Sequence, residues 1–196
     1  MIDLGDVPEP LAVVFSHRDR AKELQELASD VVSAAYLRGD FVLSSGARSS
    51  FYFDKYLFET KPTILRRTVS FLAELVPDRV ERLAGPELGA VSLAAALSLE
   101  TGIPFVIVRK QSKSYGTSVL VEGELHRGEQ VLIVEDVIST AAEALRAARQ
   151  VEQAGATVCG ILAVIDREQG GAANISEAGY PFTALFRLRD FRISGS

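Results

Sequence analysis

The sequence predicts an α/β fold in which a mostly parallel sheet is covered by helices on both faces, and three observations lead to it. The strand-like runs of the second half, residues 104–108, 130–134 and 157–165, are continuous apolar stretches rather than alternating ones. Burial on both faces of a strand has that signature. Before the first and between the last two lie helix-like segments that close on Gly102 and Gly155, the rhythm of strand–helix–strand units. Finally, 196 residues, 47% of them hydrophobic, suffice for one domain with a full core.

Each element follows from local pattern. Residues 1–18 read as an irregular lead-in. Residues 19–37 carry Leu24, Leu27, Val31, Ala34 and Ala35 at helical spacing, with Gly39 as a stop. Two short β-prone runs, 41–43 and 51–53, flank Ser44-Ser45-Gly46-Ala47-Arg48-Ser49-Ser50, which is turn chemistry. Pro62 opens a helix whose stripe is Leu65, Val69, Leu72 and Val76, and Pro77 ends it. A helix over 87–100, a strand over 104–108, another over 130–134, a helix over 140–154, a strand over 157–165 and a last strand over 184–188 complete the chain. The α/β core therefore spans about 80–166, with the hairpin (37–60) and the C-terminal tail as a smaller lobe within a single domain over 19–196.

Composition removes several function classes. The net charge is −5, from 21 basic and 26 acidic residues, which opposes a broad nucleic-acid surface. The single cysteine, Cys159, excludes a disulfide within the chain, and with only His17 and His126 there is no zinc-ligand spacing. Cys159 reads as a small buried hydrophobe. The N-terminus holds acids and prolines where a secretory signal needs positive charge, and no apolar run approaches the roughly 20 residues of a membrane span. A cytoplasmic protein without nucleic-acid or membrane partners is expected.

Ligands of open parallel sheets sit beyond the carboxyl ends of the strands, which selects residues 85–90, 109–117 and 135–143. In the last, four apolar residues run into Glu135-Asp136, followed by Val137, Ile138, Ser139, Thr140, Ala141, Ala142 and Glu143. Two carboxylates can accept hydrogen bonds from a vicinal diol or lie near a divalent cation, while hydroxyls and free N–H groups at a helix start suit a phosphate. The plain alternative is an acidic cap on a helix dipole. A receiver domain also begins on an acidic strand end, but only 60 residues follow Asp136, too few for it. Arg109, Lys110 and Lys113 place three cations in five residues directly after a strand. Such a loop is either a solvated basic loop or a device that neutralises a leaving pyrophosphate.

Together these segments resemble the type I phosphoribosyltransferases, and within them the orotate phosphoribosyltransferases. The acidic strand and helix start resemble the phosphoribosyl pyrophosphate (PRPP) motif. Arg109-Lys110, Lys113 and Gly116 resemble the catalytic loop, and Gly85-Pro86-Glu87-Leu88-Gly89 the pyrophosphate turn. The stretch 43–54 resembles the orotate-side hairpin, and Ile165-Asp166-Arg167-Glu168 the strand end whose arginine meets the orotate carboxylate. The resemblance spans about residues 37–186, in the family's order. It implies the type I phosphoribosyltransferase fold with a small hood, and transfer of phosphoribosyl from PRPP to orotate with Mg2+ carried mainly by PRPP and pyrophosphate. It further implies a homodimer whose catalytic loop is shared across the interface. Arg109, Lys110, Lys113, Glu135 and Asp136 are then catalytic. PRPP would lie against these, Tyr115, Gly85, Gly89 and the run Val137 to Glu143. Tyr52, Phe53, Ser139 and Arg167 would meet orotate.

The departures fall where phosphates bind. Ala141 stands where the family has glycine, Ala142 where many members have a second, and Glu143 where a small hydroxyl residue follows. Alanine resists the positive φ such a loop adopts, and Glu143 adds a like charge. Gly89-Ala90-Val91-Ser92 replaces Gly-Gly, an apolar residue and proline. Ser44 stands where some members carry a PRPP-binding lysine, and Tyr115 where histidine is common. Two other functions therefore stand beside catalysis on orotate: a non-catalytic or weakly active PRPP or nucleotide binder, and a transferase for another carboxylated base. His17 and His126 read as surface positions, and Arg146 and Arg149 as the solvated face of a helix, with a dimer contact as the alternative.

Overall fold

The computed structural model describes residues 17–42, 48–111 and 120–191. Helix α1 (His17–Ala35) leads into a two-stranded antiparallel sheet of β1 (Tyr36–Val42) and β2 (Arg48–Phe53). A short helix α2 (Tyr56–Glu59) and the longer α3 (Pro62–Ala73) follow. Then come β3 (Arg82–Pro86), α4 (Gly89–Thr101), β4 (Phe105–Val108), β5 (Val121–Glu122), β6 (Gln130–Ile138), α5 (Ala142–Gln153), β7 (Thr157–Asp166), α6 (Gly171–Glu177) and β8 (Phe182–Arg187), with a 3-10 turn at Leu188–Asp190.

The main sheet has six strands in the order β5-β4-β3-β6-β7-β8. Every neighbouring pair is parallel except the edge pair β4–β5. The mostly parallel architecture is thus the one the apolar runs predict. Alternation along the buried strands sorts side chains onto two faces. Leu83, Leu132, Val134 and Leu162 join one core with Leu27 and Val31 of α1, Leu72 of α3 and Leu93 and Leu97 of α4. Ala84, Val131, Ile133 and Ile161 join the other with Ala144, Ala147, Ala148 and Val151 of α5 and Ile175 of α6. Cys159 is buried in the first core, as expected, and is a free thiol.

Several boundaries differ from expectation, each for a local reason. His17 and Arg18, read as part of the lead-in, already belong to α1. The first helix stops at Ala35, and Gly39 is no helix stop but lies inside β1, beside the register shift between Arg38 and Phe41. The helix after Pro62 ends at Ala73, not Val76. Most consequential is β6, which runs through Glu135 and Asp136 to Ile138. Its pairing with β3 stops at Ala84↔Ile133, while its pairing with β7 continues to Ile138↔Asp166. Strand β3 ends because Pro86 offers no N–H and the chain turns away into α4. The β3-side edge of β6 is therefore uncovered from residue 134 onward.

Candidate active site

That uncovered edge opens onto a cavity of about 390 Å³. Its wall is the continuous stretch 135–144, faced by the turn 86–90, Lys110, and Lys55 and Tyr56 at the start of α2. The structure thus brings together Gly89, Lys110, Glu135, Asp136 and the run Val137 to Glu143. Gly85 lies just beneath, where a Cβ would stand 2.7 Å from the Ala90 carbonyl oxygen, so glycine lets α4 pack directly on β3. Gly89 has an analogous reason. A Cβ there would overlap Asp136 Oδ2 and come within 2.6 Å of Lys55 Nζ.

Both carboxylates are buried, Glu135 at 6% and Asp136 at 1% exposure. Asp136 Oδ1 accepts the Val137 N–H at 2.5 Å, and its Oδ2 meets Lys55 Nζ at 2.6 Å. Glu135 Oε1 has no hydrogen-bond partner among the described residues. Burial, and then the charge of Asp136, push the Glu135 carboxyl up to about 8, against the pull of Lys55. A third acid, Glu59 of α2, is 3% exposed and lies against Asp136. Burial first and Asp136 second raise its carboxyl to about 9. Burial opposes the charge on Lys55, but Asp136, together with Glu135 and Tyr56, holds the ammonium above its ordinary value. The site is therefore a desolvated acidic cluster with one ammonium group set into it.

Beyond the acids the chain turns sharply into α5. Ala141 is in the left-handed region at φ 65°, ψ 11°, directly before α5. The altered loop thus keeps the backbone shape that glycine would favour, with alanine bearing the strain. Glu143 does not fill the cavity. It is exposed and turned to Arg146 at 3.0 Å, with Lys110 at 3.8 Å. From behind, Asn174 of α6 donates to the Thr140 carbonyl at 3.0 Å.

The root of the cationic segment is fixed from two sides. The Lys110 N–H donates to Glu87 Oε1 at 2.6 Å, and Arg146 Nη1 donates to the Arg109 carbonyl at 2.7 Å. Arg146 is therefore no merely solvated residue, a correction to the sequence reading. Lys113, Tyr115 and Gly116, like Ser44, lie outside the described residues. Arg109 reaches Glu122 at 3.9 Å and does not line the cavity. Neither do Tyr52, Phe53 and Arg167. Tyr52 is exposed beside Phe41, whereas Phe53 packs against Phe58 and Phe191 at 6.2 Å between ring centroids. Arg167 follows β7 and donates its N–H to the Ile138 carbonyl at 2.8 Å. His126 is exposed, 3.3 Å from Glu124.

Lys55 and Glu59 escaped sequence reasoning, and Glu87, read there only as part of the pyrophosphate turn, gains its bond to the Lys110 N–H. The spacing of Lys55 and Glu59, one helical turn, was the available signal, but a four-residue helix leaves no periodicity to read.

Comparison with known proteins identifies the family. The family model for the phosphoribosyl transferase domain matches residues 64–177. An orotate phosphoribosyltransferase of Methanocella arvoryzae is 45% identical over 149 residues, covering 76% of this chain and 85% of that protein. One from Pyrococcus horikoshii is 40% identical over 183 residues, covering 89% and 96%. The crystal structure of the Mycobacterium tuberculosis orotate phosphoribosyltransferase superposes with a TM-score of 0.80 at 30% identity, over 87% of this chain and 99% of that one. The chain belongs to the phosphoribosyltransferase family and, within it, to the orotate phosphoribosyltransferases.

Proposed function

We propose that the protein transfers the 5-phosphoribosyl group of PRPP to orotate, giving orotidine 5′-monophosphate and pyrophosphate. The single observation that supports this most strongly is the buried Glu135–Asp136 pair facing a cavity that ends on the N-terminus of α5. The bond from C1 of the ribose to the pyrophosphate oxygen breaks as the orotate ring nitrogen bonds to C1. Positive charge grows on the sugar and negative charge on the leaving group.

Glu135 and Asp136 hold the ribose hydroxyls and favour the cationic sugar in a site of low dielectric. The N–H groups opening α5, with Ser139 and Thr140, receive the 5-phosphate. Arg109, Lys110 and Lys113 neutralise the departing pyrophosphate. Ser139 and Arg167 recognise the acceptor carboxylate, with Tyr52 beside it. Oxygen donors dominate the cavity, which suits Mg2+ arriving on substrate phosphates. In this reading the ion is carried mainly by PRPP and pyrophosphate. No helix among the described residues is long and apolar enough to cross a membrane. A homodimer sharing the catalytic loop belongs to the same reading.

Purified protein with PRPP, orotate and Mg2+ should release pyrophosphate and form orotidine 5′-monophosphate, and Lys113→Ala should abolish turnover by a factor of about 10² or more. Calorimetric nucleotide binding without turnover would instead favour a binding role, and turnover only with another carboxylated base would reassign the acceptor.

A further inference from the structure

The pyrophosphate turn, residues 85–89, carries no cation of its own. Its one charged residue is Glu87, whose Oε1 is occupied by the Lys110 N–H. Yet in phosphoribosyl transfer the leaving oxygen gathers charge between this turn and the ribose. Two cations line the cavity among the described residues, Lys110 and Lys55. Lys110 extends toward Glu143 on the phosphate side. Lys55 stands at the other place. Its Nζ is 2.6 Å from Asp136 Oδ2 and only 2.6 Å from where a Cβ of Gly89 would be, so it sits between the acidic pair and the turn. Its side chain is about one-third exposed, whereas Asp136 is sealed at 1%.

We propose that Lys55 is a substrate-contacting cation of this site, held in place by Asp136 and shared with the leaving pyrophosphate when the ribose diol engages Asp136, and that Glu59 is the positioning residue that keeps Asp136 aimed. The assignment rests on the phosphoribosyl-transfer reading above.

Geometry gives each group its role. Lys55 precedes α2 and Glu59 closes it one turn later, so both reach the same carboxylate from one short helix. Glu59 is buried with Oε1 unpartnered among the described residues. The charged groups facing it are Lys55 from its own helix and Asp136 and Glu135 from β6. Burial and the charge of Asp136 keep a proton on Glu59, as they also favour one on Glu135, and a neutral Glu59 donates to Asp136. Lys55 then has a single strong partner. A diol that takes over hydrogen bonding to Asp136 frees part of the ammonium's donor capacity, since it carries three donors on a flexible stem. The nearest place for the freed donors is the turn at Gly89. No bond is made or broken by Lys55 and no proton leaves it.

The test compares wild type, Lys55→Met, Lys55→Ala, Glu59→Gln and Glu59→Leu, each shown to be folded by circular dichroism. Lys55→Met should lower kcat at least thirtyfold with orotate KM within threefold, and should weaken magnesium pyrophosphate binding, read by calorimetry, at least tenfold. Added ethylammonium should restore part of the activity of Lys55→Ala, which a packing role would not allow. Glu59→Gln, which still donates a hydrogen bond, should keep PRPP KM within threefold, whereas Glu59→Leu should raise it at least tenfold. Folded Lys55 variants with wild-type kcat and wild-type pyrophosphate affinity would overturn the assignment of Lys55. Equal losses in Glu59→Gln and Glu59→Leu would remove Glu59 as a positioning residue. A wild type without turnover would sink the transfer reading, but the calorimetric comparison would still decide whether Lys55 binds pyrophosphate.

Discussion

Glu59 keeps a proton in the folded protein that an unfolded chain would release. Its carboxyl is raised from 4.5 to about 9, chiefly by burial and then by Asp136. Between those two values the folded state binds more protons than the unfolded one, so stability falls as pH rises through the window, by at most about 1.4 kcal/mol per pH unit. Glu59→Gln carries no such proton. Its melting temperature relative to wild type should therefore rise from pH 5.5 to pH 8.5, and a constant offset across that range would show Glu59 to be already ionised. At this scale the sequence is least legible. Glu135 and Asp136 stand out because they end an apolar run, and the structure lines the cavity with both. Lys55 and Glu59 look like ordinary surface charges next to a hairpin, and only the fold brings them to Asp136. Arg146 likewise matches a solvated helix face in spacing, and its bond to the Arg109 carbonyl depends on where α5 lies against β4.

At the scale of elements, the loop that opens α5 carries the main departure from the family pattern. Ala141 holds φ 65° while 4% exposed, which for a residue with a Cβ costs about 1–2 kcal/mol. Glycine removes that strain but adds chain entropy in the unfolded state, worth about 0.4–1 kcal/mol. Ala141→Gly should therefore raise stability by up to about 1 kcal/mol, or roughly 2–4 °C in Tm. It should also lower the KM for PRPP, since the N–H groups of the loop become free to approach a phosphate. Glu143→Gln should lower that KM as well, but by only a few-fold, because the carboxylate is exposed and already turned to Arg146. A thermal melt and a PRPP titration check both. Helices and strands with strong patterns are legible in the sequence, as α3 from Pro62 and β7 as an apolar run show. What it cannot give is the end of β6. The acids continue an extended strand because β7 still pairs with it after β3 has turned away, and a partner strand is not visible in local sequence. Gly39 failed as a helix stop for a similar reason, since pairing with β2 draws residues from Tyr36 onward into a strand.

For the whole molecule, two cores clamp one sheet, and the site lies where the sheet's middle loses a neighbour. Continuous apolar strands announce this sandwich in the sequence, because a strand buried on both faces has no polar positions to alternate. Leu162, 1% exposed within the first core, should cost about 2–5 kcal/mol when changed to alanine. Leu99, 89% exposed on α4, should change stability by no more than about 0.5 kcal/mol in either direction. Chemical denaturation of both variants checks that contrast. The rigid sheet matters to function because it holds two carboxylates in a desolvated place that neither would occupy alone. Their use for a sugar diol can be measured directly by calorimetry with ribose 5-phosphate and 2-deoxyribose 5-phosphate. Losing one hydroxyl forfeits a hydrogen bond to a charged group, worth about 1.5–3 kcal/mol. The deoxy sugar should bind roughly 10- to 100-fold more weakly, and Asp136→Asn should narrow the gap. Equal affinity for the two sugars in the wild type would contradict that use.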